Sequence, residues 1–469
     1  MRKLMAAFAM VLVAGLPARS WAMLGFENIT YDGSLEVSGV HADNEKDLKT
    51  NASPSDRHSD VDTRVRLGMN APITDDVSGR LEFTRTGSRW GRNFSGTAGA
   101  GNSLQDEQNN IRINNAFFDI TLAGWRWRAG RQYVGNEGDL VWFIGPRQDD
   151  ILSLDAIDGL DVRRAWDRVI IDVFGGKARD NNPQGAANDV GEVSLKNVTA
   201  TFPNVLPNSN IWAGAIWGSN SNGTDNSDRT SLQIYRVGIN GGVRENFFTY
   251  RAEVLANGGD NKVLQPIGGS KIKYKGKALD LGAGLNLAES SAGGVSFGGD
   301  FLWTSGDKNR TDNDDKSFRD LNAVGVVSTD RYYGEIFGRS NVLSFVPLGE
   351  GIDSGAQGTG YTIIHLNALF KPAFAPKTWA RLDYYNFGAT ENKVTLVPGG
   401  PTTNVGDYGT EWDLTLGYRH SDNVGFEAGY AMLNPKDALK AINGTTASDN
   451  ITKWFARTKI AWGTTAASK

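Results

Sequence analysis

Basic side chains two residues apart are the first chemistry that this sequence offers. Arg64 and Arg66, Arg126 and Arg128, and Arg457 and Lys459 stand at i and i+2, so an extended chain points each pair to one side. Arg80, Arg112, Arg163, Arg381 and Arg419 read onto the same polar rows, joined by Asp62, Glu82, Asp161, Asp383 and Asp413. Rings of Arg and Lys in a narrow pore select anions, and an Arg fork takes a carboxylate through two parallel hydrogen bonds. The same residues can instead form Arg–Asp ladders that stiffen a wall. Acids in the intervening breaks, Asp139, Asp149, Asp150, Asp307, Asp312, Asp314 and Asp315, carry much of the negative charge. The sign of the total therefore does not set the sign of the polar face.

Catalytic and metal motifs are weaker. Gly294-Val295-Ser296-Phe297-Gly298 fits G-x-S-x-G, with His365 and His420 downstream. A nucleophile elbow needs a strand-to-helix turn, and this strand runs on to Trp303. Asp307 to Asp315 is Asp-rich, yet an EF-hand loop needs Gly and Glu where Asp312 and Phe318 stand. The four histidines, His41, His58, His365 and His420, show no metal spacing, and Cys is absent. No catalytic residue, metal or cofactor is expected. An outer-membrane barrel enzyme using Ser296 is the reading from another class, and a Ser296→Ala variant tests it.

The elements that must position the basic rows are strands. The chain has 469 residues, 57 Gly, 13 Trp and a mean hydropathy of −0.37. That composition excludes a helical membrane bundle. Residues 1–22 read as a secretory signal peptide: Arg2 and Lys3, the apolar stretch Leu4 to Leu16, then Ser20-Trp21-Ala22 with cleavage near Ala22. Removing Arg2, Lys3 and Arg19 shifts the net charge by three, from −4 to −7, which excludes a nucleic-acid binder. Beyond residue 22, segments of about ten residues alternate apolar and polar, the period of a strand with two unlike faces. Val61, Thr63, Val65 and Leu67 oppose Asp62, Arg64 and Arg66; Trp412, Leu414 and Leu416 oppose Asp413 and Thr415.

Break lengths give the architecture. Short breaks at Ile73 to Asp76, Ala123-Gly124, Trp166 to Arg168, Gly241-Gly242, Glu289 to Gly294, Lys371 to Lys377 and Ser421 to Asn423 alternate with long polar ones. Short periplasmic turns and long extracellular loops are the pattern of a transmembrane antiparallel β-barrel. Treating 306–358 as one large extracellular loop keeps the parity and yields about 18 strands over a single barrel, 23–469, with both termini periplasmic. Trp125, Trp166, Trp379 and Trp462 then mark the periplasmic rim, and Trp303, Tyr384, Tyr385 and Phe387 the outer one. Lys271, Lys273, Lys275 and Lys277 share the parity of Leu279 and Leu281. Either the lysines project above the membrane toward lipid phosphates, or a bulge at Gly276 swaps faces; the first is preferred.

Three stretches carry a family resemblance. "RAGRQYVGNEGDLVWFIGPRQDDILSLDAIDGLDVRRAWDRVIIDVF" from Arg128 to Phe174, "DRYYGEIFGRSNVL" from Asp330 to Leu343, and "GTEWDLTLGYRHSDNVGFEAGYAMLNP" resemble the outer-membrane exporters of the alginate-export family. The resemblance implies a monomeric eighteen-stranded porin with a basic lumen that passes a polyuronate or another anionic polymer or acid outward. It also implies that Arg126, Arg128 and Arg131, with Asp139, form a constriction where loops fold inward. Parity places Arg131 on the Trp125 face, so it reaches the lumen only through a bulge at Gly130.

The expected function is an anion-selective channel lined by Arg64, Arg66, Arg112, Arg126, Arg128, Arg131, Asp139, Asp161, Arg163, Arg381, Arg419, Arg457 and Lys459. Its cargo is alginate for export or, alternatively, organic acids and sugars taken up through a general porin. Expected partners are outer-membrane lipid and lipopolysaccharide, the anionic solute or polysaccharide and, for export, periplasmic secretion components.

Overall fold

The structure, a computed structural model, describes residues 29–44, 57–87, 111–147, 156–179, 192–221, 229–243, 247–261, 271–287, 292–309, 312–324, 326, 331, 333–337, 359–391, 393–395, 402–404, 406–442 and 449–463. The segment read as a signal peptide, its cleavage point, and Asp149 and Asp150 lie outside the described residues.

Alternating sequence becomes a closed antiparallel barrel. Among the described residues its eighteen strands are β1 (Thr30–Asp43), β2 (Arg57–Pro72), β3 (Val77–Gly87), β4 (Arg112–Leu122), β5 (Trp125–Gln132), β6 (Ile157–Ala165), β7 (Ile170–Arg179), β8 (Glu192–Pro203) and β9 (Ser209–Ser221). They continue as β10 (Arg229–Val243), β11 (Phe248–Asn261), β12 (Lys277–Asn286), β13 (Gly293–Thr304), β14 (Tyr361–Pro372), β15 (Thr378–Ala389), β16 (Gly409–Ser421), β17 (Val424–Pro435) and β18 (Ile451–Gly463). Each pairs with the next, and β1 closes on β18 from Asp32↔Gly463 to Asp43↔Thr452. Closure leaves no strand edge exposed to hydrocarbon, which is what lets a polar backbone cross a membrane. No helix among the described residues is long and apolar enough to cross one.

Among the described residues, short turns at 73–76, 123–124, 166–169, 204–208, 373–377 and 422–423 all lie at one end of the barrel, the periplasmic one. Ala123 and Gly124, both with positive φ (52° and 76°), form the two-residue hairpin turn whose twist suits paired strands. The sequence reading placed a turn at Gly241-Gly242. Pairing instead runs through both glycines to Val243↔Phe248, because glycine there accommodates Tyr250 across the strand. The turn 204–208 contains no glycine to mark it in the sequence; Asn204 and Asn208 supply its positive φ.

The faces are those of a membrane barrel, apolar outside and polar inside. Leu67, Val237, Val254, Leu414, Leu416 and Trp454 are exposed on the outer face, while Asp32, Glu36, Arg64, Glu82, Glu253 and Asp413 are buried on the inner one. Tyr384 packs at a tilt against Trp412 outside, with ring centroids 4.6 Å apart. Tyr385 and Phe387 do not join that outer girdle. They share the parity of Asp383 and face inward, buried beneath a loop. Apolar packing is therefore concentrated in the mouth. There Leu140, Val141, Trp142 and Ile144 meet Phe174, and Leu321 and Val324 of a short 3₁₀ turn lie over β9 and β10.

Candidate channel constriction

Two connections turn into the barrel and are fastened to its wall. The first, 133–147, leaves β5 and doubles back as a small hairpin, with Val134↔Ile144 and Gly135↔Phe143 paired. Gly135 has φ +84°, and a Cβ there would sit 1.8 Å from the Trp142 carbonyl oxygen, so only glycine lets the hairpin close. Tyr133 donates its hydroxyl to Glu82 at 2.6 Å. Burial first, and then the Glu82 charge, push its phenol well above the ordinary value, which keeps it a donor. At the tip the Asp139 carboxylate accepts the Val141 and Trp142 amides at 3.0 and 2.9 Å, shaping the turn. Asp139 also takes Arg236 of β10 at 2.9 Å, and Arg236 holds Glu253 of β11 at 2.6 Å, where the Trp212 indole donates as well.

The second connection, between β13 and β14, reaches across to β9. Its carbonyl at Val324 accepts the Asn220 amide at 3.2 Å. Arg331 then donates to the Gly138 carbonyl of the first loop at 2.8 Å and to Asp280 of β12 at 2.5 Å. Further on, the Glu335, Ile336 and Phe337 amides donate to Asp413 and to the two Glu411 oxygens at 3.0, 2.7 and 2.9 Å. The Glu335 carboxylate binds Lys453 at 3.4 Å and Arg457 at 2.5 Å, both on β18. Phe337 stacks on Phe387 at 4.0 Å. The charged groups on the wall thus serve as sockets for two loops that touch each other within the lumen.

Below this contact, toward the periplasm, the wall carries most of the basic rows. Arg64 pairs with Glu36, and Arg66 reaches the same carboxylate at 3.6 Å. Arg80 binds Asp32 and Glu82, each at 2.7 Å. Arg126 pairs with Asp161, and Arg128 makes a two-pronged bond to Asp119 at 2.8 Å while covering Phe117. Arg163 stands across from Arg126 and Asp172, and Lys459 across from Glu36, whereas Arg112 stands across from Thr84 at the outer end of β4. Arg381 binds Asp383 at 2.8 Å. Two expected lumen residues lie elsewhere. Register is unbroken at Gly130, so Arg131 stays on the outer row opposite its ion-pair partner Asp158. Arg419 sits at the periplasmic rim on Asp422 of the adjoining turn.

Sequence reading missed the second half of the wall. Arg236 and Arg251 could have been found, since Tyr235, Val237 and Val254 alternate with the polar residues around them. Arg331 and Glu335 could not, because they lie in a connection without periodicity. Nor did the sequence reveal the relay in which His365 bridges Asp300 and Asp383 at 2.9 Å on either ring nitrogen, stacked on Tyr385. Asp300 binds Arg251 at 2.6 Å, and Arg251 binds Asp280 at 3.0 Å, so this belt runs from Arg381 to Arg331.

The arrangement does not assemble the hydrolase triad. Ser296 pairs with Leu369, four residues from His365, or ~13 Å along the strand. His420 lies on the outer row near Tyr418. Among the described residues no three His, Asp or Glu side chains form a metal site.

No known family profile and no curated protein matches this sequence. Solved structures do. OpdO of Pseudomonas aeruginosa is 10% identical with a TM-score of 0.55, the alignment covering 93% of this chain and 98% of that one. OccAB4 of Acinetobacter baumannii, 9% identical, gives 0.55 over 93% and 98%. OccK9 (OpdG) of P. aeruginosa, 11% identical, gives 0.55 over 93% and 99%. The barrel is similar to the Occ and Opd porins. At this identity the likeness is one of fold: a closed antiparallel membrane barrel of eighteen strands. The resemblance to alginate exporters therefore holds at the level of the eighteen-stranded barrel, and the neighbours lend no support to that family in particular.

Proposed function

We propose that this outer-membrane channel admits small anionic solutes such as organic acids. The observation that carries the reading is which partner meets solvent in four ion pairs of the inner wall, those of Arg126, Arg381, Arg66 and Arg80. The Arg126 side chain is 34% exposed against 13% for Asp161, and Arg381 is 35% exposed against 3% for Asp383. Arg66 and Arg80 are likewise more open than Glu36 and Asp32, and Arg163 and Lys459 are exposed. In these four pairs the carboxylate lies at the wall and the guanidinium group covers it, so a solute meets positive charge there even though the pairs are formally neutral. Such contacts are weak and repeated, which is what conduction needs.

Uptake of small solutes fits better than export of a polymer, because the two inward loops are bonded to each other at Gly138 and Arg331. One chain closes its own barrel, so the pore is complete in a monomer, delivered after cleavage near Ala22. Reversal potentials in planar bilayers under a salt gradient test the sign, and swelling of proteoliposomes in organic acids against neutral sugars tests the cargo. Cation preference, or no conductance, would overturn the proposal. Block by uronate oligomers would return the polymer reading.

A further inference from the structure

The outer surface carries a charged row that the channel does not use. Lys271, Lys273, Lys275 and Lys277 are exposed, while the intervening Tyr274 and Ala278 are buried. Pairing with β11 keeps one register from Asn261↔Ile272 and Asp260↔Lys273 to Ala256↔Lys277 and Val254↔Leu279. No bulge at Gly276 swaps faces, so the lysines share the outward row of Leu279 and Leu281. They occupy its extracellular end, immediately above exposed Leu281 and Val254. Trp303 pairs with Leu279 one rung below Lys277, at the level where aromatic side chains meet the headgroups.

The row is held straight from outside. The Lys273 and Lys275 amides donate to the Asn313 and Asp315 carbonyls, each at 2.8 Å, which extends the sheet past β12. Two of the four ammonium groups are neutralised, Lys271 by Asp260 at 2.7 Å and Lys275 by Asp314 at 2.6 Å. The nearby acids are also taken: Asp312 pairs with Lys316 and Asp315 with Arg319. Lys273 and Lys277 make no ion pair among the described residues. They stand ~13 Å apart along the strand. Their aliphatic stems can lie on the apolar band while the ammonium groups reach the layer where acyl chains end and phosphates begin.

We propose that Lys273 and Lys277 bind the phosphate groups of a phosphorylated glycolipid in the outer leaflet. The paired lysines between and above them act as spacers that order the row. A basic side chain at an anionic membrane surface contributes about fivefold in affinity, so two contribute roughly thirtyfold. The test uses the full barrel purified in detergent, titrated with bis-phosphorylated lipid A or its enzymatically dephosphorylated form and read by native mass spectrometry. The wild-type chain should retain the phosphorylated lipid preferentially. K273Q/K277Q should lose roughly thirtyfold and K273R/K277R should retain binding; both substitutions point away from the wall and leave its contacts intact. Three results would overturn the proposal: wild-type binding by K273Q/K277Q, equal binding of the two lipid forms, or displacement of lipid by an equal concentration of inorganic phosphate, which would indicate a free-anion site.

Discussion

Replacing Arg236 with Met separates the two jobs done by the buried charges of the wall. The Arg236 side chain is 6% exposed and is shared by Asp139 of the inward hairpin and Glu253 of β11. Removing one partner of a buried pair costs about 3–5 kcal/mol, because the charge left behind has lost its solvent and its partner. Here the lower end applies. Asp139 keeps the Val141 and Trp142 amides, and Glu253 keeps the Trp212 indole. A cost of about 3 kcal/mol is roughly a hundredfold in the ratio of docked to released hairpin. Single-channel recording of Arg236→Met should show added open-channel noise with excursions to higher conductance. Asp139→Asn, which spares Glu253, should reproduce the noise with a smaller loss of unfolding free energy. A double-mutant cycle then isolates the Asp139–Arg236 coupling. If Arg236→Met lowers stability but leaves conductance and noise unchanged, the hairpin is not held by this bond and the reasoning fails.

Three further outcomes are expected. Arg126→Gln with Arg163→Gln removes two open cations below the constriction and should lower the anion-to-cation permeability ratio in bilayers; an unchanged reversal potential would count against a basic lumen. Gly135→Val forces a β-branched residue into φ +84° and toward the Trp142 carbonyl, so the hairpin should fail to dock while the barrel stays folded, giving a larger, noisier conductance without loss of heat-resistant migration on gels. His365→Leu takes a donor from between Asp300 and Asp383, leaving them to Arg251 and Arg381 alone. It should destabilise the barrel by ~2 kcal/mol in denaturant and shift selectivity toward cations, and an increase in anion selectivity would refute that account.

Much of the barrel was legible because alternation and break length are local. The rows through Val61 to Leu67 and Trp412 to Leu416 announce two unlike faces, and the parity of short and long breaks fixes which end each connection occupies. Parity likewise sets Arg64, Arg126, Arg163 and Lys459 on the polar row. The same rule misplaced the turn near Gly241, where glycine marks a close approach to Tyr250 and not a reversal. It also assigned Tyr385 and Phe387 to the outer girdle although their parity with Asp383 sends them inward.

The period-two pattern and the alternation of short and long breaks determined a membrane barrel of about eighteen strands with a charged face, since a side chain's face depends only on its place in the strand. Which of those charges meet the lumen, and which are spent on holding loops, was decided by tertiary structure. Glu335 and Lys453 are 118 residues apart, as Asp139 and Arg236 are 97, and only closure of the barrel sets each pair in contact. An ion pair's exposure depends on what folds over it, and that belongs to the assembled lumen and not to any one strand.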